Sequence, residues 1–402
     1  MVNHDRNRSE LARTNRRAVL AEVATRGPLS RTDIANSIGL TAASVSRITR
    51  ELIEADLLRE LPNDDDRQLT LPRSPGRRFI QLEVNASGGY VLGVGVNVFS
   101  QAVTLADLGN RRIVRQDLKL RDLSDPEWVV DRVVREAKKM VSIHVADRRR
   151  ILGATFAFTG AVDPSTGVVQ TSPYLRWGEV SLREKFAREL NIPIRLESLP
   201  ASMAVAEYRF GAARGMADLL VVNCSLGLGA ALLSDGRLVR GQNFSAGLIG
   251  DVTPGGVPGE TLDALAGGHG VLKRLFGARL NIGMTPSNEL ADMLMEAVGR
   301  CQKGEPDAVG AFHDAGESLG HFLVPILGLL RPKGLMVAGP LTQAPSFVLA
   351  YKNCLREIAK DYECKIMVSD LSPQAAARWL AIDEFLLGRD LNLNDLKLSR
   401  AA

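Results

Sequence analysis

The sequence predicts an α/β protein in two parts: a small N-terminal winged helix-turn-helix, then a larger body of two related lobes around a cleft. Three observations predict it. The first sixty residues break into short helices at capping and turn residues. From residue 88 the pattern changes to apolar, strand-like runs. The order of strands and helices then begins again near residue 218. A chain of 402 residues is also longer than one core usually organises. The first part is expected over 1–86 and the body over 87–402, with the lobes dividing near 200–216.

Residues 15–26 (NRRAVLAEVATR) place Val19, Leu20, Val23 and Ala24 at helical spacing and stop at Gly27-Pro28. Ser30 is suited to cap the next helix, RTDIANSI, with Asp33 near its positive end. Gly39 suits the left-handed turn that ends it. Thr41 caps a third helix, AASVSRITRELIEADLL, whose buried face is Val45, Ile48 and Leu52. Counted from Arg31, the small Ala35, the turn at Gly39 and the buried Val45 and Ile48 meet the steric demands of a helix-turn-helix. A three-helix packing unit would show the same core, so the exposed residues decide between the two. They are Ala42, Ala43, Ser44, Ser46, Arg47 and Arg50, small or basic and free of acids over the first two turns. Small side chains let a helix enter the major groove, Ser bonds phosphate or base edges, and Arg grips guanine bidentately. Arg31 and Thr32, opening the preceding helix, are placed for phosphate contact, as is the cap at Thr41.

Charge agrees with that reading. Residues 1–50 hold nine Arg and four acids, against a net charge of +4 for the whole chain, so the rest is close to neutral. A wing should follow, with a strand from Leu57-Leu58 and a return strand in RRFIQLEVN around Phe79, Ile80, Leu82 and Val84. The polar loop between them carries Asp64-Asp65-Asp66 and ends in Arg73, Arg77 and Arg78. Those arginines suit the negative potential of a minor groove, unless the loop is only a solvated linker.

In the body, GYVLGVGVN, SQAVTLADL and RRIVRQDLKL read as a β-meander. DPEWVVDRVVREAKKMVSI is an amphipathic helix, ILGATFAFTG a buried strand, SLREKFAREL a helix and PIRLES a strand. DLLVVNCSLGLGAALLSDGRLVRG restarts the series, and long helices near 304–331 and 343–359 flank a strand at GLMVAG. Two such lobes form an actin-like fold, whose ligands sit where strand ends and helix starts converge. The four cysteines are scattered, the charged N-terminus is followed by no apolar core, and no run of about 18 apolar residues exists. A cytoplasmic chain with neither signal peptide nor membrane span is expected.

Three stretches carry a resemblance: AVDPSTGVVQTSPYLRWGEVSLREKF, IRLESLPASMAVAEYRFGAARG and CSLGLGAALLSDGRLVRGQNFSAGLIGD. With the helix-turn-helix in front, the chain resembles the repressor branch of the ROK family (repressors, open reading frames and kinases) over nearly its whole length. The resemblance implies a ribonuclease H-like ATPase/sugar-kinase body and a bacterial regulator of carbohydrate-related genes, most simply a repressor. It also implies a homodimer or dimer of dimers on a pseudo-palindromic double-stranded DNA operator.

It departs from a working kinase at each functional motif. Where family kinases open with Asp-x-Gly-Gly-Thr-Lys, residues 95–100 read GVNVFS, and Val96 and Phe99 are expected to crowd the turn. Where they carry Glu-Asn-Asp, this chain has Glu197, Ser198 and Leu199, and leucine accepts no proton. Where they carry Gly-Glu-x-Gly-His, it has Gly247, Leu248, Ile249, Gly250 and Asp251. The following VTPGGVPGETLDAL has none of the zinc-binding cysteines. No catalytic residue, cofactor or metal is therefore expected. His269 is expected to be a helix cap or surface residue, and Gly227 and Gly229 to serve strand packing. The family's sugar-contact positions fall on Tyr174, Glu197, Ser198, Leu199, Leu248, Asp251 and, more loosely, Asp263. Tyr174, Arg176, Trp177, Glu197, Ser198, Asp251 and Asp263 are the candidate effector residues, for a sugar or sugar derivative. Control by a protein partner with an inert cleft, and a sugar kinase with a vestigial N-terminal part, are the competing readings.

Overall fold

The computed structural model describes residues 2–61, 80–120, 122–257, 259–277, 280, 284–361, 363–388, 391 and 393, with only the backbone of 2–9. The expected wing loop, with Asp64, Asp65, Asp66, Arg73, Arg77 and Arg78, and Phe79 of the return strand lie outside the described residues.

The N-terminal part runs α1 (Val2–Arg26), β1 (Leu29–Ser30), α2 (Arg31–Ile38), α3 (Ala42–Glu54), β2 (Leu58–Glu60) and β3 (Gln81–Val84). The capping chemistry appears as expected. The Ser30 hydroxyl accepts from the Asp33 amide while Asp33 accepts from the Ser30 amide, a reciprocal box. Gly39 ends α2 at φ 68° and ψ 28°, and Thr41 accepts from the Ser44 amide. Two boundaries differ. Helix α1 begins at Val2, well before residue 15. Helix α3 stops at Glu54 because Asp56 takes a left-handed conformation (φ 65°), which sends Leu58 into β2. Leu57 and Leu58 are buried all the same. The apolar spacing that suggested continued helix was answered by packing instead. Strand β3 pairs with both β1 and β2, giving the order β1-β3-β2.

In the first lobe, β4 (Tyr90–Val96), β5 (Gln101–Asp107) and β6 (Arg112–Asp117) form the meander, followed by α4 (Pro126–His144) and β7 (Ile151–Phe158). A small sheet of β8 (Ala161–Asp163), β9 (Val168–Thr171) and β10 (Val180–Ser181) precedes α5 (Arg183–Leu190) and β11 (Ile194–Ser198). The main sheet has the order β11-β7-β4-β5-β6. Helix α6 (Leu199–Phe210) leads to the second lobe, with β12 (Leu219–Cys224), β13 (Leu228–Ser234), β14 (Arg237–Leu238), α7 (Leu262–Ala266), α8 (Gly268–Phe276), α9 (Ser287–Gln302) and α10 (Pro306–Leu330). Then come β15 (Gly334–Ala338), α11 (Pro345–Asp361), β16 (Lys365–Val368) and α12 (Pro373–Ala381). Its sheet order, β14-β13-β12-β15-β16, repeats three antiparallel and two parallel strands. Helix α12 returns to pack on β4 and α6. Among the described residues, no helix is long and apolar enough to cross a membrane.

The two parts share one core. Val19, Leu20, Ile34, Ile48 and Leu52 belong to the same buried apolar cluster as Val91, Leu108 and Leu152 of the first lobe and Ile382, Leu386 and Leu387 after α12. Polar bonds reinforce the seam. The Arg17 Nε donates to the Leu387 carbonyl (2.6 Å), an Arg214 nitrogen to the Thr25 carbonyl (2.7 Å), and Arg150 pairs with Asp56 (3.3 Å).

Candidate functional sites: an exposed helix and an interlobe cavity

Helix α3 buries Val45, Ile48, Thr49 and Leu52 and leaves Ala42, Ala43, Arg47 and Arg50 exposed, with Ser44 and Ser46 half-buried. No acidic residue lies in its first turn. Arg47 is steadied by Glu51 one turn on (2.6 Å), and Glu51 also takes Arg16 from α1 (3.0 Å). This leash costs little to break, since exposed pairs contribute about 0–1 kcal/mol. Arg50 has no ion-pair partner among the described residues. Thr41 is engaged by Ser44 (2.9 Å), and Thr32 is exposed at the start of α2. Arg31, expected to be a phosphate contact, also ties the motif together: its Nε meets Thr49 of α3 (3.1 Å) and its guanidinium meets Glu60 of β2 (2.7 Å).

Between the lobes lies a cavity of about 290 Å³. Of the seven candidate effector residues, Tyr174, Ser198, Asp251 and Asp263 line it, while Glu197, Arg176 and Trp177 do not. Each of the three has a physical reason. Glu197 is 1% exposed, and both its oxygens are taken. Arg240 binds it bidentately (2.8 and 2.7 Å), and Arg195 (3.1 Å) and the Ser198 amide (3.0 Å) complete the set. Trp177 is 3% exposed, packs against Phe158 and donates its indole N–H to the Leu123 carbonyl (2.6 Å), so it is core. Arg176 turns outward at φ 61° and donates to the Thr285 carbonyl.

The centre of the cavity is a pair. Asp263, in the first turn of α7 behind the capping Thr261, accepts from the Tyr174 hydroxyl (2.7 Å) and the Leu228 amide (2.6 Å). Burial pushes its carboxyl up to about 6, against these two hydrogen bonds, and nearby Asp251 pushes the same way. Burial and Asp263 likewise raise the Tyr174 phenol, which stays protonated and donates. Glycines make room for the pair. A Cβ on Gly227 would stand 2.3 Å from the Tyr174 ring and one on Gly250 2.5 Å from an Asp263 oxygen. A Cβ on Gly229 would meet Pro200 at 3.0 Å, so both glycines of the second turn serve close packing.

Residues 95–100 are closed by a route the sequence reading missed. The Asn97 side-chain oxygen accepts from the amides of Phe99 (2.8 Å) and Ser100 (2.9 Å), the donors a phosphate would need. Val96, expected to crowd the turn, is instead buried in the strand. Asn is a residue that folds back on its own backbone, and that was the available signal. Leu199 is 4% exposed at the start of α6 and lines the cavity where the family's base would stand. His269 is half-buried in the first turn of α8 and lines the cavity, rather than capping a helix or lying on the surface. Burial, and then Lys273, lower its pKa, so it is neutral near pH 7. Among the described residues, no three His, Cys, Asp or Glu side chains are grouped to hold a metal ion, so they do not fit the family's structural zinc. The cavity also takes in Asn223, Phe244 and Thr261, which sequence spacing did not mark.

Comparison with known proteins places these features. The ROK family model matches residues 102–380, and the MarR family model matches residues 15–69. The DNA-binding transcriptional dual regulator NagC of Escherichia coli K12 is 26% identical over 342 residues, 82% of this chain and 81% of its own. The DNA-binding transcriptional repressor Mlc of the same organism is 24% identical, covering 83% of each. The xylose repressor of Bacillus subtilis is 22% identical, over 93% of this chain and 96% of its own. A solved ROK family transcriptional regulator, a homologue of E. coli Mlc, superposes with a TM-score of 0.76 at 22% identity, over 97% of this chain and 100% of its own. A ROK family glucokinase from Streptomyces griseus reaches 0.58 at 19% identity over 73% of this chain and 98% of its own.

Proposed function

The chain belongs to the ROK family, and we propose that within it this protein is a sequence-specific DNA-binding regulator, acting as a repressor of carbohydrate-related genes. One observation carries the reading: a capped helix whose first two turns present small and basic side chains and no acid, packed on the body through a shared apolar core. Such a helix fits the major groove, and the Arg47 and Arg50 forks suit guanine edges. Relatives matched over 82%, 83% and 93% of this chain and named as regulators or repressors support it.

The body binds a small effector in the interlobe cavity and catalyses nothing. Asn97 occupies the phosphate turn and Leu199 stands where a base is needed, which supports loss of phosphoryl transfer. The effector acts through unequal affinity for two lobe arrangements, which in a homodimer changes the spacing of two α3 helices relative to half-sites about 34–36 Å apart. Arg77 and Arg78, which lie outside the described residues, complete the proposed DNA-binding set, as guanidinium groups suited to a minor groove.

Genomic enrichment tests this. Sheared DNA retained by the purified chain should contain a discrete pseudo-palindrome, bound in anisotropy titrations at salt concentrations where bulk DNA is released. Retention of bulk DNA alone, with steep salt dependence, would remove the sequence-reading function.

A further inference from the structure

The interlobe cavity has an unusual charge for a site derived from phosphate chemistry. Two carboxylates line it, the exposed Asp251 and the half-buried Asp263, together with the aromatic rings of Tyr174 and Phe244. No Lys or Arg lines it among the described residues. Lys273, whose charge reaches His269, is exposed and outside the lining, and His269 is itself neutral near pH 7.

Helix starts ordinarily favour anions. Three begin here, α6, α7 and α8; α8 has no side-chain cap, but its Gly268 and His269 amides donate to the Ser225 and Leu226 carbonyls (2.8 and 2.9 Å), and the other two are capped from within the chain. Ser198 caps α6, accepting from Ala201, and Thr261 caps α7, accepting from Ala264. Asp263, ionised above about pH 6, supplies negative charge in the first turn of α7 and takes the Leu228 amide. A phosphate brought into this space would meet two carboxylates and no compensating cation. A cation would meet two carboxylates and two π-faces. Asp263 has spent two of about four acceptor positions, on Tyr174 and Leu228, and keeps the rest for a ligand.

We propose that the cavity recognises an amine-bearing, unphosphorylated molecule of monosaccharide size, its ammonium held by Asp263 and Asp251 and its apolar face laid against Tyr174 and Phe244. This rests on the reading of the cleft as the effector site. The cavity volume of about 290 Å³ is at the small end for ligand pockets, which suits one sugar-sized ring.

The test uses the full chain at pH 7.5 and matched monosaccharides in three forms: amino sugars, their N-acetylated neutral counterparts, and their 6-phosphates. Thermal shift ranks them and calorimetry measures affinity. The amino forms should bind at least about tenfold more tightly than either counterpart, and Asp251→Asn should remove about tenfold of that affinity. Asp251 is exposed, so the variant should keep the parent unfolding midpoint. Asp263→Asn should cost more. Preferred binding of the phosphates, equal binding of amine and neutral forms, or no saturable binding in any set would each overturn the proposal. Operator enrichment measured on the same preparations separates the two claims. Enrichment without amine preference sinks the cavity chemistry alone, and amine binding without enrichment sinks the regulator reading alone.

Discussion

Substituting Glu197 by glutamine tests whether this carboxylate holds the fold or holds a ligand. In the structure it is 1% exposed and anchors two guanidinium groups, Arg240 on both oxygens and Arg195 on one. Glutamine keeps the shape but removes the charge, and its amide N–H group faces one of the arginines. Breaking a buried pair by removing one partner costs about 3–5 kcal/mol. Arg240 and Arg195 keep 28% and 22% of their side chains exposed. Water therefore recovers part of the loss, and about 2–3 kcal/mol is expected. A body of roughly 300 residues unfolds with an entropy near 0.6 kcal/mol/K, so the apparent midpoint should fall by about 3–5 °C. Scanning calorimetry gives the midpoint, and operator anisotropy with effector titration gives function. Destabilisation with unchanged affinity for effector is the expected result. A variant with the parent midpoint that no longer responds to effector would refute the structural role and return Glu197 to the ligand set.

Other substitutions probe other parts. Arg50→Ala should weaken binding to the enriched operator by about 1–3 kcal/mol and leave the salt slope unchanged; uniform weakening across sequences with a slope lower by about one would make it a phosphate contact. Ser30→Ala removes one half of the reciprocal box at α2 and should cost about 1–2 kcal/mol in urea unfolding, whereas no change would show that the cap is idle. Leu199→Asp should give no phosphoryl transfer from ATP to hexoses in a coupled assay, because Asn97 still occupies the amides of the 95–100 turn; turnover would disprove that closure. Asp263 has a folded-state carboxyl raised to about 6 from 3.8, so the folded chain binds its proton more tightly than the unfolded one. Its contribution to stability is therefore fully present below about pH 4 and is lost as pH rises through 6, by up to about 3 kcal/mol. Asp263→Asn should flatten the stability profile over that window, and a profile parallel to the parent's would contradict the assigned burial.

The elements most legible in the sequence are those whose cause is local. Ser30, Gly39 and Thr41 act on amides within three or four residues, so their chemistry can be read in order along the chain, and the helix pair appears where they place it. The meander and the repeated strand order are legible for the same reason, since period and turns are short-range signals. Misreadings concentrate where the partner is distant. Trp177 resembles a stacking platform until Leu123 and Phe158 enclose it, and Glu197 resembles a ligand until Arg240, 43 residues on, takes both oxygens. Asn97 is an exception, a local signal whose side-chain oxygen, more than the bulk of Val96 and Phe99, closes the turn by accepting from the Phe99 and Ser100 amides. The family resemblance pointed to Tyr174 and Asp263, but only the fold brings them within 2.7 Å across 89 residues.

The seam between the N-terminal part and the body limits how freely such proteins can exchange parts. Leu386 and Leu387, close to the C-terminus, share a core with Leu20 and Ile48, and the Leu387 carbonyl is bonded by Arg17. Cutting the gene after the wing would therefore leave half of a hydrophobic joint on each fragment. A chimera that gives this body another reader of DNA would have to carry its own last turn of chain as well, like a key cut together with the bow that turns it. Swaps made at the boundary alone should yield chains whose DNA contacts survive while their response to effector becomes slack.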